Sequence, residues 1–349
     1  MALSHENTNT TTNAIYRMYA QRNAKQAKRG YLGWSQIGKP CNRALWMSFR
    51  WAKQDSIDGR MARLFDTGHR EEERVINDLR AIGCTVYAID PNTGKQYGVS
   101  DHGGHFRGHL DLVALGLPED PKTFTLVDVK TIKSKKFDQL LKDGMEKMYP
   151  EYAAQAHGYM GHQGLTQAMF IFVCKDDDRI HCELFAYDKA VFEKYSARAL
   201  AIIQSQEPPQ RISNDPSWYE CKWCDYSAMC HGSAVPAPTC RSCAHATPEM
   251  DGDARWSCAK HKADLLFGNQ LLGCESHVYI PALIGFAQVV DATDEHVVYE
   301  VNGRFFKNGT PPACYSSKEI HACQDKALLV EESKFINDMR QQFGAEIVW

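Results

Sequence analysis

Leu64, Phe65, Val75, Ile76 and Leu79 recur at helical spacing and predict an amphipathic helix over residues 64–81. Runs of β-branched and aromatic residues follow, and Cys84–Ile89, Phe106–Leu115 and Phe124–Thr131 read as strands. A helical pattern then covers about 137–163, with a break expected at Pro150, which cannot donate to the preceding turn. Met169–Cys174 and Ile180–Tyr187 read as two more strands and Lys189–Gln206 as a closing helix. Helix, three strands, helix and strand in this order predict an α/β architecture, a mixed sheet flanked by helices.

The pattern changes after the stretch 233–238, Ser-Ala-Val-Pro-Ala-Pro, which has the composition of a linker. Beyond it, Val297–Val301 and Arg304–Lys307 flank Asn302-Gly303, a strong hairpin signal, and a last helix is expected over about 325–342. The expected division is an N-terminal arm over 1–30, a main domain over 31–235 and a smaller α+β domain over 236–349.

Composition adds limits. With 44% hydrophobic and 24% charged residues the chain is an ordinary globular sequence, and 349 residues suffice for more than one core. The net charge of −3 does not advertise a nucleic-acid binder, but local basic tracks exist: Arg17, Arg22, Lys25, Lys28 and Arg29, and Lys130, Lys133, Lys135, Lys136, Lys142 and Lys147. The N-terminus is polar, so no secretory signal is expected, and Tyr279–Val290 is too short to span a bilayer. A cytoplasmic protein without a membrane partner would keep its thirteen cysteines reduced, so clustered cysteines read as metal ligands. Cys84, Cys174, Cys182, Cys314 and Cys323 stand alone and read as small buried residues.

The candidate chemistry centres on Asp111 and on Asp128-Val129-Lys130. Strand alternation gives Asp128 and Lys130 one face, and His109 and Asp111 one face of the preceding strand. If those strands pair, two carboxylates and a lysine converge, as binding Mg²⁺ or Mn²⁺ against a phosphodiester requires, and the Val129 carbonyl adds an oxygen. Glu72 lies on the helix stripe shared with Val75, Ile76 and Leu79 and is the candidate third carboxylate; Gly68 would let that helix approach the sheet. Gln155 and Tyr159, one turn apart, are suited to orient the lysine or a phosphate.

Gly-His-Leu-Asp111, Asp128-Val-Lys130 and Gln155-x-x-x-Tyr159 resemble the motifs of the RecB-type nucleases within the PD-(D/E)XK superfamily, over roughly residues 31–235. The resemblance implies a restriction-endonuclease-like fold, metal-binding aspartates at 111 and 128, a catalytic Lys130, and a Gln155/Tyr159 pair contacting the site or DNA. An upstream helix often adds a Glu or His in that family, matched here by Glu72 or His69.

Cys221-x2-Cys224-x5-Cys230 needs a fourth ligand, and Cys41 is the candidate. One cysteine before the core and three after it is similar to the iron–sulfur subset of these nucleases, including AddB and the CRISPR adaptation nucleases. That implies a 4Fe–4S cluster stapling the two ends of the domain; a zinc site using His231 is the alternative. Cys240-x2-Cys243-x14-Cys258-x15-Cys274 begins as a structural zinc site does, with His261 the first substitute ligand and His245 and His277 nearby. The expected function is a metal-dependent DNA exonuclease of recombination, repair or phage DNA metabolism, acting on single strands or duplex ends. No phosphate-binding loop is present, so unwinding would come from a helicase partner, or a single-strand-annealing or recombination protein would cooperate. An endonuclease, a CRISPR-adaptation-like end trimmer and a non-catalytic nucleic-acid-binding protein are the competing functions.

Overall fold

The computed structural model describes residues 10–53, 57–330 and 334–343. The chain begins with α1 (Thr10–Ala24), β1 (Leu32–Gly33), α2 (Trp34–Ile37) and α3 (Asn42–Phe49). The long α4 (Gly59–Ala81) starts earlier than its apolar spacing predicts because the Asp58 carboxylate caps it, accepting the Met61 N–H at 2.7 Å. Short strands follow: β2 (Thr85–Tyr87), β3 (Ile89–Asp90), β4 (Lys95–Gln96), β5 (Gly98–Asp101), β6 (Phe106–His109) and β7 (Leu112–Leu115). After β8 (Thr125–Ile132) the expected helical region forms three pieces, α5 (Ser134–Asp143), α6 (Met145–Met148) and α7 (Pro150–Gln163). Pro150 opens α7, and an extra break falls at Gly144, whose φ of 76° ends α5. The half closes with β9 (Gln167–Cys174), β10 (Ile180–Ala186) and α8 (Lys189–Gln204).

The central sheet has the order β10-β9-β8-β7-β2 and is mixed: β8 and β9 run parallel, the other neighbours antiparallel. Alternation along its strands feeds two cores. Val127 and Ile171 face Val75 and Leu79 of α4, while Leu126, Phe170 and Phe172 face Ala156 and Met160 of α7. The mixed α/β sheet flanked by helices agrees with the expected fold class.

Further along come α9 (Tyr219–Lys222) and α10 (Ser227–His231), then a small sheet of β11 (Ala246–Pro248), β12 (Trp256–Cys258) and β13 (Ala263–Asp264) and the short α11 (Phe267–Gln270). A second sheet contains β14 (Gln288–Ala292), β15 (His296–Val301) and β16 (Arg304–Gly309), followed by α12 (Ser317–Ala322) and α13 (Lys334–Phe343). Asn302 (φ 53°) and Gly303 (φ 78°) form the β15–β16 turn where the hairpin signal put it. The last expected helix is instead a 3-10 turn over Lys326–Val330 and then α13; residues 331–333 of that expectation lie outside the described residues.

The stretch 233–238 is packed rather than a free tether. Val235 and Ala237 are buried, the Ala237 N–H donates to the Ala52 carbonyl at 3.0 Å, and the Tyr279 hydroxyl donates to the Pro236 carbonyl at 2.8 Å. Cys243, Ala246, Trp256, Ile280 and Leu283 join the main core beside Trp46 and Phe49, whereas Tyr299, Phe306 and Ile320 build a core of their own. Among the described residues no helix is long and apolar enough to cross a membrane.

Candidate active site

The site lies where the central sheet splits. β7 pairs with β8 only as far as Leu112 opposite Val127; before that the chain belongs to β6, in a separate sheet of order β1-β6-β5. The expected single strand over 106–115 is therefore two strands in two sheets, parted where the Leu110 N–H turns to the Tyr97 carbonyl at 2.9 Å. Asp111 sits in that joint, and the exposed His109 belongs to the other sheet, not to a face shared with Asp111. β8 runs on to Ile132 with only β9 beside it. The Val129 N–H, in phase with Val127, points to the edge that β7 has left, and Asp111 Oδ2 accepts it at 3.0 Å. The Val129 carbonyl points to the same edge, since both polar groups of a strand residue face one neighbour.

Asp128 is 2% exposed, its Oδ1 in an ion pair with Lys130 Nζ and its Oδ2 without a hydrogen-bond donor. Burial pushes its carboxyl up to about 7 against the pull of Lys130, and Asp111 adds to the push. Burial raises Asp111 as well, again opposed by Lys130 and reinforced by Glu72. Glu72 reaches the same place from α4: burial raises it, the Gln96 side chain restrains it by donating at 2.9 Å, and Asp128 raises it further. Burial alone would depress Lys130, but Asp128 and Asp111 hold it above the ordinary lysine range. Three carboxylates thus gather around one ammonium.

α7 covers the cluster. Gln155 Nε2 donates to the Tyr159 hydroxyl at 3.2 Å, both buried, and burial raises the phenol. A side chain at Gly108 would stand 2.6 Å from that hydroxyl, so β6 crosses α7 this closely only with glycine there. Two further side chains, Tyr152 and Gln96, reach the cluster without belonging to its sequence motifs. Tyr152 has its ring centre 4.9 Å from Lys130 Nζ; it precedes Gln155 and Tyr159 on one helix stripe, a signal that was available. Gln96 sits on a two-residue strand with no such signal. Gly68 does not serve close packing, since a side chain there would meet nothing within 4 Å, and His69 is exposed. Lys130 is part of the site and not of a basic surface track; Lys133, Lys135, Lys136, Lys142 and Lys147 are exposed.

As the side chains stand, no group of three or more His, Cys, Asp or Glu among the described residues, the cysteine sets included, is gathered to hold a metal ion; at the acidic edge Lys130 stands against Asp128. The donor set nevertheless fits a hard cation: it is all oxygen, carries excess negative charge and includes the orphaned, buried Asp128 Oδ2.

The cysteines of each set line one cavity. Cys41 caps α3, its sulfur accepting the Ala44 N–H at 3.4 Å. Arg198 of α8 fixes the turn before it, donating to the carbonyls of Ile37 (2.6 Å), Lys39 (2.7 Å) and Pro40 (3.1 Å). Cys41, Cys221, Cys224 and Cys230 line one cavity, with His231 beside them. Cys240, Cys243, Cys258 and Cys274 line another, of about 260 Å³, with His245, His261 and His277. Of the five isolated cysteines Cys84, Cys174, Cys314 and Cys323 are buried as expected, but Cys182 is exposed, on the antiparallel edge strand β10.

Residues 12–231 match the family model described as the PD-(D/E)XK nuclease superfamily. No curated protein matches the chain. Similar solved structures include SSO0001, at 12% identity over 63% of this chain and 95% of that one, with a TM-score of 0.37. An alkaline exonuclease, LHK-Exo, from Laribacter hongkongensis is 16% identical over 53% of this chain and 90% of its own, with a TM-score of 0.35. A phage-related exonuclease from Haemophilus somnus 129PT is 14% identical over 55% and 79%, with a TM-score of 0.24. The family match, over most of the chain, carries the assignment; these distant superpositions do not.

Proposed function

The chain belongs to the PD-(D/E)XK nuclease superfamily, and from that premise we propose that it is a metal-dependent DNA exonuclease. The carrying observation is the gathering of Glu72, Asp111, Asp128 and Lys130 at the open edge of β8. Glu72, Asp111, Asp128 and the Val129 carbonyl would hold Mg²⁺ or Mn²⁺. When bound, such an ion polarises a phosphoryl oxygen and lowers the pKa of a coordinated water. Lys130 leaves Asp128 to hydrogen-bond the attacking water or the charge developing on the phosphate. Gln155 donates to Tyr159, which frees the phenolic proton to point at a phosphate oxygen. Recombination, repair or phage DNA metabolism would use this chemistry, with a helicase or annealing protein presenting the strand.

Pure protein incubated with linear, circular and single-stranded DNA should degrade the linear and single-stranded forms with Mn²⁺ and none with EDTA. Attack on closed circles would make it an endonuclease; no cleavage of any form would leave only nucleic-acid binding.

The reading extends to Cys41, Cys221, Cys224 and Cys230 as ligands of a 4Fe–4S cluster, and to the second cysteine set as a zinc site. His231 lines the same cavity as the first set and would be the substitute ligand in the second reading there, a single zinc. Anaerobically purified protein decides: brown colour with iron and sulfide, lost on Cys221→Ser, supports the cluster, and colourless zinc protein overturns it.

A further inference from the structure

Arg50 and Arg241 are among the most deeply buried side chains of the molecule, at 0% and 1% exposure, and they lie side by side. Arg50, just after α3, donates to the carbonyls of Arg241 (3.4 Å), Ala246 (3.0 Å) and Ser205 (3.2 Å) and to the Gln206 amide oxygen (3.2 Å). Arg241 donates to the Phe49 carbonyl at 3.1 Å and, through two nitrogens, to Gln270 Oε1 at 2.9 and 2.8 Å. Both guanidiniums stand over the Trp256 ring, at 5.0 and 4.6 Å. Every one of these acceptors is neutral. Among the described residues neither arginine has a carboxylate within ion-pair distance.

Two like charges buried together without a counter-charge are strongly disfavoured, however well their hydrogen bonds are made. A thiolate at Cys243 would act directly on Arg50. Arg241 lies inside the Cys240–Cys243 knuckle, and Arg50 grips the carbonyls on both sides of Cys243. Gln270, which Arg241 holds, ends the short helix that leads to Cys274.

We propose that Cys240, Cys243, Cys258 and Cys274 form a dianionic tetrathiolate centre, that Arg50 and Arg241 are its built-in counter-ions, and that it fastens the C-terminal segment onto the nuclease half. The charge count selects the ligands. Four thiolates around Zn²⁺, or around a 4Fe–4S core in its usual doubly positive state, leave two negative charges, matching the two arginines. Replacing one cysteine by His261, whose Nε2 lies 3.5 Å from the Cys274 sulfur, would leave only one. The inference rests on the metal reading of this cysteine set and is independent of the carboxylate site.

Metal analysis of the full-length protein tests the ligand set. His261→Ala and His245→Ala should keep the metal at wild-type stoichiometry, while Cys258→Ser and Cys274→Ser should each lose one centre. Zinc, or iron with sulfide, identifies the metal, and either supports the proposal. Loss of the centre in His261→Ala, or its retention in Cys274→Ser, overturns it. Arg50→Gln should release the metal to a chelator at least tenfold faster than wild type; an unchanged rate overturns the counter-ion role. If Arg50→Gln does not fold, Arg50→Lys decides, since it keeps the charge and must keep the metal. DNA cleavage is not a readout, so a failure here leaves the nuclease reading standing.

Discussion

The edge of β8 and the Trp256 core are mirror images in charge. At the first, Glu72, Asp111 and Asp128 face one lysine; at the second, Arg50 and Arg241 face no carboxylate among the described residues. Both places are buried, and both complete their hydrogen bonds with neutral partners where they can, by the Val129 N–H and Gln96 at one and by backbone carbonyls and glutamine amides at the other. Hydrogen bonding alone therefore does not account for either. A protein interior relieves such an imbalance by shifting the pKa of a group, as at Asp128, or by taking up a charged ligand of opposite sign. The difference separates the two proposals: the acidic edge opens beside an unpaired strand, where a cation and a phosphodiester could come and go, whereas the basic core is sealed, as a structural centre would be.

The sharpest way to break the comparison is to remove one charge of each sign from the acidic edge. Asp128→Asn and Lys130→Met should both lower cleavage by roughly a thousandfold or more, since on the proposed reading the first would hold the cation and the second would hydrogen-bond the attacking water or the phosphate. Their stabilities should diverge. Asp128→Asn relieves excess negative charge and should melt at or above the wild-type temperature. Lys130→Met leaves three carboxylates unneutralised and should cost about 3 kcal/mol, as breaking a buried pair does. Thermal melts without added metal check this, and equal destabilisation by both would mean the edge is not acidic in excess. Glu72→Gln comes next: a loss on the order of tenfold to a hundredfold in activity, with a higher Mn²⁺ requirement, fits a contributing ligand.

What the chain disclosed in advance follows the same division. Asp128, Lys130, Gln155 and Tyr159 were legible because strand and helix periods fix their faces locally. Glu72 was legible from its stripe on α4. The route of Asp111 was not: the alternation of Arg107, His109 and Asp111 with Phe106, Leu110 and Leu112 runs straight through the change of sheet at Leu110, which depends on pairing with the distant β1 as well as with the neighbouring β5. The arginine pair was invisible for a stronger reason, as positions 50 and 241 meet only in three dimensions and each alone reads as ordinary surface. The stretch 233–238 misled because small residues and prolines mark linkers by composition, and only the Ala52 and Tyr279 contacts reveal it as packed.

His105 sharpens the comparison at the junction between the two halves. It is fully buried, its Nε2–H donates to the Glu249 carbonyl at 2.9 Å, and its Nδ1 has no partner. Burial lowers its pKa to about 4, and Arg241 and Arg107 add to the effect. The unfolded chain takes up a proton at the ordinary histidine value, so the contribution of His105 to folding stability should be level above about pH 6.5 and fall as pH drops from there toward 4, by at most about 3 kcal/mol. His105→Asn should flatten that acid limb, as measured by denaturant melts between pH 4 and 7. An acid limb unchanged by the substitution would show that the basic junction does not feel its own charge.

The smallest expected effect lies on α7, and it separates positioning from chemistry at the acidic edge. Tyr159 carries no charge at working pH, so Tyr159→Phe leaves the imbalance untouched and removes one donor held by Gln155. Cleavage should fall only about threefold to tenfold, through weaker phosphate orientation, with metal dependence unchanged. Gln155→Ala should do the same by freeing the phenol, and the double variant should lose no more than the worse single one, because the two side chains act through one hydrogen bond. Fully additive losses would assign Gln155 a separate contact with DNA and would make α7 a second binding surface rather than a support for Lys130.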